Sequence, residues 1–188
     1  MELPQDYDPS VSQQSTNILY GNHYRFNIER LPDLSFFVQS CTTPSITGTA
    51  IAQPNPFVQV QVPGEILSFS TFQVTYQVDA HFKSYFSLYY WLRGYGFPSS
   101  FDDVVRFREK QSKLVPNARP TPNNLEKTNA LLAILTPDTS SIIAEIAYFD
   151  VFPTELSPLS FVTTDNEPPV LVTTATFACT SFDVRLTP

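Results

Sequence analysis

Apolar and polar residues alternate along the segment "STFQVTYQVDAHF", which spans residues 70–82. Every second position is apolar, and the positions between are Thr, Gln, Asp or His. A period of two predicts a β-strand with one buried and one wet face. At roughly 3.3 Å per residue the strand would be about 40 Å long, well beyond the usual five or six residues.

The preceding segment "FVQVQVPG", residues 57–64, alternates in the same way and ends in a Pro-Gly turn signal. We therefore predict one long β-hairpin over residues 57–82, with its loop at 63–69. Residues 45–57 contain Gly48, Pro54 and Pro56, and this composition predicts a loop.

Four further segments predict strands. "HYRFNIERLP" places Tyr24, Phe26 and Ile28 on one face, and "LSFFVQSCTTP" predicts a second strand that runs to Pro44. "ALLAILTPDTSSIIAEIAYFDVF" predicts a hairpin around a Pro-Asp turn. "VLVTTATFACTSFDVRL" alternates and then changes parity by one residue at Thr180 or Ser181, as a β-bulge would cause.

The period changes from two to 3.6 after Phe82, in "KSYFSLYYWLRG". Apolar residues at i, i+3, i+4 and i+7 predict an amphipathic helix with Ser84 as N-cap and Gly94 just past its end. A second, shorter helix is predicted to begin at Ser100, where acids follow a capping residue. The residues predicted to dock the first helix are Tyr85, Leu88, Tyr89, Trp91 and Leu92.

About seven strands and one firm helix without βαβ alternation indicate a mainly β fold. We expect an antiparallel β-sandwich or barrel with a flanking α-helix and a long hairpin. The chain has 188 residues and 42% hydrophobic content, enough for one domain over 17–188. Residues 1–16 are polar and predict a flexible arm, and residues 100–127 form a basic, Pro-rich insert.

The net charge is −7, and only the stretch 93–127 is net basic. Tight binding of a phosphate backbone is therefore disfavoured, whereas an acidic wall that repels passing DNA remains compatible. The basic stretch "RFREKQSKL" fits nucleic acid, an acidic protein partner or a solvated helix face.

Few residues suggest chemistry. His23 and His81 have no nearby partners for a catalytic triad. The adjacent Asp102 and Asp103 would point about 100° apart on a helix and so would not bind one ion together. The five glycines form no phosphate-binding motif. We expect no enzyme, no catalytic residue, no cofactor and no metal site. The two distant cysteines predict buried thiols, with one disulfide as the alternative: Cys41 and Cys179. No signal peptide or membrane span is visible, so we expect a soluble protein made in a cytoplasm.

Long strands with unpaired edges recruit other chains, which in an assembly makes them joints between subunits. The chain resembles the tail-tube proteins of tailed bacteriophages, particularly the contractile, T4-like kind, and their relatives in phage-like injection machines. The resemblance lies in the order of the segments and covers most of 22–186. The segments are "FFVQSCTTPSI", "PFVQVQVPGEILSFSTFQVTYQVDA", "YFSLYYWLRG", "YFDVFPTELSPLSF" and "TATFACTSFDV".

The resemblance implies a non-enzymatic structural protein of the virion tail, assembled in the host cytoplasm. Its subunits would form stacked six-membered rings, contact other tail, baseplate or sheath proteins, and let DNA pass without specific binding. An acidic lumen of such a tube would fit the net charge. The long hairpin would carry assembly contacts, through the residues Phe57, Val58, Val60, Val62, Phe72, Val74 and Tyr76.

Several alternatives stay open. The arm at 1–16 and the insert at 100–127 have no counterpart in a plain tube subunit, which favours a tube-like baseplate initiator, a tail terminator or a neck adaptor. A receptor- or carbohydrate-binding β-sandwich would use Trp91 and its Tyr neighbours as a stacking platform, although their helical spacing is more typical of core residues. A capsid decoration protein is a further alternative.

Overall fold

A computed structural model describes residues 21–54, 56–95, 102, 127–136, 141–162 and 170–186. Within these ranges the chain forms nine strands, one α-helix and a short 3₁₀ helix at Pro32–Phe36. The elements are β1 (Tyr24–Ile28), β2 (Val38–Cys41), β3 (Ile46–Gln53), β4 (Val60–Phe69), β5 (Phe72–Gln77), α1 (Lys83–Tyr95), β6 (Thr128–Leu135), β7 (Ile142–Leu156), β8 (Val172–Ala178) and β9 (Ser181–Leu186). The predicted arm at 1–16, the second helix and nearly all of the insert at 100–127 lie outside the described residues.

Eight-residue β6 and fifteen-residue β7 form the predicted hairpin, and every strand pair in the described residues is antiparallel. A first sheet has the order β1-β6-β7-β9, and a second has the order β2-β5-β8-β7. The strand β7 belongs to both sheets, because residues 144–149 pair with β9 and residues 152–156 pair with β8. The fold class predicted above, a mainly antiparallel β-sandwich or barrel with one helix, is confirmed.

Strand β7 passes from one sheet to the other near Asp150, opposite the interruption between β8 and β9. Asp150 has φ 56°, and two residues separate the end of β8 at Ala178 from the start of β9 at Ser181. The register with β7 does not change across this interruption, because Pro153 pairs with Phe177 and Phe149 pairs with Ser181. The β-bulge predicted at Thr180 or Ser181 is therefore wrong, and the strand is interrupted there without an inserted residue. The interruption lets β8 and β9 follow β7 from one sheet to the other, so that the two sheets can enclose a common core.

The core lies between the two sheets and is largely aromatic. Phe72 of β5 stacks on Tyr148 at 4.9 Å and on Phe177 at 5.5 Å between ring centroids. The helix α1 adds Leu88 and Trp91, both fully buried, to the same cluster. Stacked and edge-on rings at these distances contribute packing energy beyond the area that they bury.

The predicted strand over residues 70–82 is shorter than expected, since β5 covers only Phe72–Gln77. Its alternation is confirmed, because Phe72, Val74 and Tyr76 are buried while Gln73 is exposed. Two residues beyond the end of the strand, the side chain of Asp79 caps α1. Its carboxylate accepts hydrogen bonds from Lys83 N at 3.1 Å, Ser84 N at 3.0 Å and Ser84 Oγ at 2.6 Å. The prediction of Ser84 as N-cap is thus wrong, because Ser84 lies inside the helix.

The predicted hairpin over residues 57–82 is wrong in its pairing. Strand β4 pairs with β3, which lies in the segment predicted as loop, and β5 pairs with β2. Pro63 and Gly64, predicted as a turn, lie within β4. Along the chain β2 leads into β3 and β4 leads into β5, so residues 38–53 and 60–77 form one long hairpin whose inner half belongs to the second sheet.

The second predicted strand is also shorter than expected. Residues 32–36 form the 3₁₀ helix, and only Val38–Cys41 are a strand, because Pro32 favours the first turn of a helix.

Candidate assembly surfaces

The hairpin formed by β3 and β4, here called the ribbon, extends away from the two sheets. Every residue of β3 is exposed, and no residue of β4 is buried. An isolated two-stranded hairpin is marginally stable in water unless another surface covers it. The ribbon therefore has the geometry of an arm that is completed by contact with something else.

The two faces of the ribbon differ in chemistry, as the pairing shows. Ile51 lies opposite Val62, and alternation along β4 places Val60 and Ile66 on the same side. Ile51 and Ile66 are 59% and 68% exposed. We give the name branched face to the four branched apolar residues of this side, Ile51, Val60, Val62 and Ile66, which share it with the polar residues Thr47, Gln53 and Ser68. The other side carries small and polar residues, including Ala50, Ala52, Gln61 and Glu65, with Ile46, Leu67 and Phe69 nearer the base.

The base of the ribbon is fixed to the subunit. Ser70 N donates to Ser45 O at 3.0 Å, and Ser45 N donates to Ser70 Oγ at 2.8 Å. The ring of Phe69 packs edge-on against Phe182 of β9 at 5.6 Å. The direction of the ribbon is therefore set by the body of the protein, while beyond this point no other element of the described residues covers the ribbon.

Gly64 is the tightest position in the ribbon. A Cβ built on Gly64 would collide with the hydroxyl of Thr49 and would lie 2.9 Å from its carbonyl oxygen. The hydroxyl of Thr49 donates to Ile66 O at 3.3 Å across the irregular part of the pairing. Only glycine permits this close approach of the two strands.

The seven residues predicted as an assembly interface differ in solvent exposure. Phe57, Val58 and Val60 are 92%, 66% and 45% exposed, and Val62 is half-buried. The three predicted in β5 need correction, since they have no exposed surface to offer: Phe72, Val74 and Tyr76. Sequence reasoning missed four exposed apolar residues of the ribbon, of which β3 holds two: Ile46, Ile51, Ile66 and Leu67.

The five residues predicted to dock α1 also differ in how far they are buried. Leu88 and Trp91 are buried, Tyr85 and Leu92 are half-buried, and Tyr89 is exposed. The guanidinium of Arg30 lies 4.5 Å from the centroid of the Trp91 ring. A sugar-stacking platform needs exposed rings, and of the predicted platform Trp91 is covered whereas Tyr89 and Tyr90 are 40% and 57% exposed.

The outer side of α1 presents an aromatic surface. Phe86 contacts Phe82 at 6.1 Å and Tyr90 at 6.2 Å between centroids, and Phe86 and Tyr90 are about half exposed. Spacing by four residues places these rings in one row along the helix.

The thiols and acidic groups offer little reactivity. Cys41 and Cys179 are free, and burial raises the pKa of the Cys41 thiol to about 12 and that of Cys179 above its usual value. Both therefore stay protonated near neutral pH and are poor nucleophiles. Within the described ranges, no three His, Cys, Asp or Glu side chains converge as metal ligands would. The described part of the chain also has no helix long and apolar enough to cross a bilayer.

Solved structures share this fold of two antiparallel sheets with one flanking helix. The tube terminating cap of the anti-feeding prophage matches with a TM-score of 0.58 and 14% identity over 95% of this chain and 98% of that chain. A chain of the PVC extracellular contractile injection system, from its extended sheath–tube complex, matches with a TM-score of 0.57 and 13% identity over 92% and 94%.

A chain from the sheath/tube terminator of the same kind of system matches with a TM-score of 0.54 and 11% identity over 90% of this chain and 97% of that chain. No protein-family model matches the sequence, and no curated protein matches it. At these identities the likeness establishes the fold, and it extends over nearly the whole length of both chains.

Proposed function

We propose that this chain is a non-enzymatic structural subunit of a tail tube, of the kind found in contractile phages and related injection particles. Copies assemble into stacked six-membered rings in the tail of the particle, next to other tail, baseplate or sheath proteins, and form part of a conduit through which DNA passes. The observation that carries the proposal is the ribbon, a two-stranded arm that has exposed residues on both faces and no fully buried one.

The exposed side chains of the ribbon supply a driving force for assembly. Full burial of one Val or Ile side chain contributes roughly 1.5–3 kcal/mol. The branched face alone therefore offers on the order of several kcal/mol when a second copy covers it. In a closed ring the ribbon of each subunit contacts the next subunit, so the ring contains one such contact, with its free energy of burial, for every subunit.

The fold supports the same proposal. The structures that share it come from a tube terminating cap, a sheath–tube complex and a sheath/tube terminator. A carbohydrate-binding role has less support, because Trp91 is buried beneath Arg30. The ribbon offers apolar side chains rather than a pocket of polar groups, which fits contact with protein.

The test is to remove the ribbon, which costs the body the contact of Phe69 with Phe182 described above. Residues 46–69 are replaced by Asn-Gly, which joins Ser45 to Ser70, because these residues already form a hydrogen-bonded closing pair. We expect the full chain to form rings or tubes in negative-stain images and the shortened chain to be a folded monomer by sedimentation and circular dichroism.

Two point variants provide a matched pair on neighbouring residues of opposite faces. Ile66→Gln removes an apolar contact of the branched face, whereas Glu65→Gln alters the other face. We expect Ile66→Gln to weaken assembly at least tenfold more than Glu65→Gln. Rings formed by the shortened chain, or a full chain that stays monomeric at high concentration, would contradict the proposal.

A further inference from the structure

The aromatic side chains on the outer side of α1 form a continuous apolar surface. We give the name aromatic row to Phe82, Phe86 and Tyr90, whose ring centroids follow one another at 6.1 Å and 6.2 Å. Phe86 and Tyr90 are 48% and 57% exposed. Large apolar rings that are exposed side by side, with polar residues around them, mark a contact site on a protein surface.

The backbone at Phe82 places its ring at the head of this row. Phe82 has φ 57°, in the left-handed region that bulky residues avoid. Its amide donates to Asp79 O at 2.9 Å, and its ring packs edge-on against Tyr85 at 6.1 Å between centroids. A residue keeps such a conformation where the surrounding contacts fix it, so the row begins at a defined position.

The same helix is positively charged. Its thirteen residues include Lys83 and Arg93, both exposed, and no Asp or Glu. Spacing by three residues places Lys83 beside Phe86 and Arg93 beside Tyr90. Asp79, which precedes the helix, directs its carboxylate at helix amides. The aromatic row therefore has a cation near each end, and the two cations lie about 15 Å apart along the helix axis.

The N-terminal part of the chain has the opposite charge. The segment "ELPQDYD", residues 2–8, contains three acids and no base, together with the apolar side chains of Leu3 and Tyr7. Pro4 and Pro9 favour an extended chain, and aromatic surfaces commonly bind extended segments that contain proline. In both charge and apolar character this segment complements the aromatic row.

The length of the arm allows this contact within one subunit. Gly21, the first described residue, lies nine residues before Arg30 and hence at most about 30 Å from it. The guanidinium of Arg30 lies 4.5 Å from the centroid of the Trp91 ring, in the second half of α1. Residues 9–20, which separate the acidic segment from Gly21, span up to about 40 Å when extended. The acidic segment is therefore long enough in its tether to reach α1 of its own chain.

We propose that the aromatic row of α1 is the docking site of the acidic segment 2–8 of the same chain. Leu3 and Tyr7 cover the rings, while the acids at the two ends of the segment pair with Lys83 and Arg93. The contact lies within one chain, so it goes beyond the proposed tube function and does not depend on it.

The spacing of the charges agrees with this pairing. In an extended chain with about 3.1 Å per residue, Glu2 and Asp8 lie roughly 19 Å apart. The cations Lys83 and Arg93 are about 15 Å apart along the helix, and their long side chains accommodate the difference. Asp6 lies between the two ends and shortens the distance further where one end is not engaged.

Photo-crosslinking tests the contact in the dilute, unassembled full chain. Tyr90 is replaced by p-benzoylphenylalanine, and the peptides joined to it after illumination are identified by mass spectrometry. The same replacement at Phe36, which is 90% exposed and outside α1, is the control. Equal amounts of isotope-labelled and unlabelled chain are mixed, so that a contact between two copies gives crosslinks of mixed label.

Two arm variants separate the charge from the arm itself. The first carries Glu2→Gln, Asp6→Asn and Asp8→Asn and so removes the negative charge. The second carries Ser12→Ala and Ser15→Ala, which lie in the tether and leave the charge unchanged. Both are compared with the parent chain at the Tyr90 position.

We expect the probe at Tyr90 to crosslink to residues 2–8 with unmixed label, and the probe at Phe36 to give no such product. Neutralising the acids should lower the yield at least about threefold, as the loss of two exposed ion pairs would, whereas the serine variant should match the parent. Mixed-label crosslinks, crosslinks to other segments alone, an unchanged yield after neutralisation or no crosslink at all would each overturn the inference. Ring formation by the parent chain at higher concentration is scored separately, so failure of the proposed function is distinguished from failure of this contact.

Discussion

Gly64 and Gly48 allow assembly to be tested with two substitutions of the same kind on the same ribbon. Gly64→Ala places a methyl group 2.9 Å from the carbonyl oxygen of Thr49 and against its hydroxyl. Gly48→Ala places a methyl group 3.7 Å from Leu67 Cδ2, which is ordinary contact. Neither glycine has a positive φ, so the two variants differ in space and not in backbone strain.

The expected magnitudes follow from these contacts. A methyl group forced into a packed site costs typically 1–3 kcal/mol. In Gly48→Ala the substitution instead lowers the entropy of the unfolded chain and stabilises by about 0.4–1 kcal/mol. The ribbon adds no residue to the core, so the cost at Gly64 is expected in assembly rather than in folding of the body. At 1.4 kcal/mol per factor of ten, Gly64→Ala should weaken the contact by roughly five- to a hundredfold.

Mass photometry over a dilution series measures the midpoint of assembly for both variants and the parent chain. Thermal unfolding of the dilute, unassembled proteins measures the body separately. We expect Gly64→Ala to need a higher concentration to assemble while its melting temperature changes little, and Gly48→Ala to resemble the parent. Equal assembly midpoints for the two variants would refute the role assigned to the ribbon.

Two further predictions concern the body and use the chain without residues 46–69, so that unfolding is not coupled to assembly. Burial raises the pKa of Asp79, but hydrogen bonds from Ser84 and Lys83 outweigh it and lower the pKa to about 2. The cap therefore stabilises fully above about pH 4 and is lost as the pH falls towards 2. Asp79→Ala should lower the free energy of unfolding in urea by about 1 kcal/mol at pH 7. If the difference in stability between variant and parent did not become smaller below pH 4, Asp79 would not be the cap of α1. Tyr148 is buried and its hydroxyl has no partner among the described residues. Tyr148→Phe should leave stability unchanged or raise it by about 1 kcal/mol, whereas a loss above 1 kcal/mol would show that the hydroxyl is bonded.

The alternation of β1, β5, β8 and the hairpin of β6 with β7 could be predicted from sequence, because each of these strands has one covered face. Phe26 and Ile28, or Ala175 and Phe177, repeat at every second position and are buried. Alternation with a period of two arises when one face of a strand is buried, as it is in these strands.

Strand β3 could not be predicted, because "ITGTAIAQ" has small residues and no buried face. The turn at Pro63-Gly64 was predicted wrongly, since glycine there serves close approach to Thr49 and proline tolerates a strand that lies at an edge. The cap of α1 was assigned to Ser84 because it begins the helical period, whereas the group that fits the free amides is Asp79, four residues upstream of the first helical residue.

The pattern along residues 60–77 shows why the alternation could not reveal what covers the strand. Apolar residues occupy even positions both in β4, at Val60, Val62 and Ile66, and in β5, at Phe72 and Val74. Alternation fixes which side chains share a face, but only the tertiary structure decides what lies against that face. In β5 the cover is the first sheet of the same subunit. In β4 the same apolar pattern continues, but no described residue covers this face. An exposed apolar face on an arm of fixed direction is explained if another subunit covers it in the assembly.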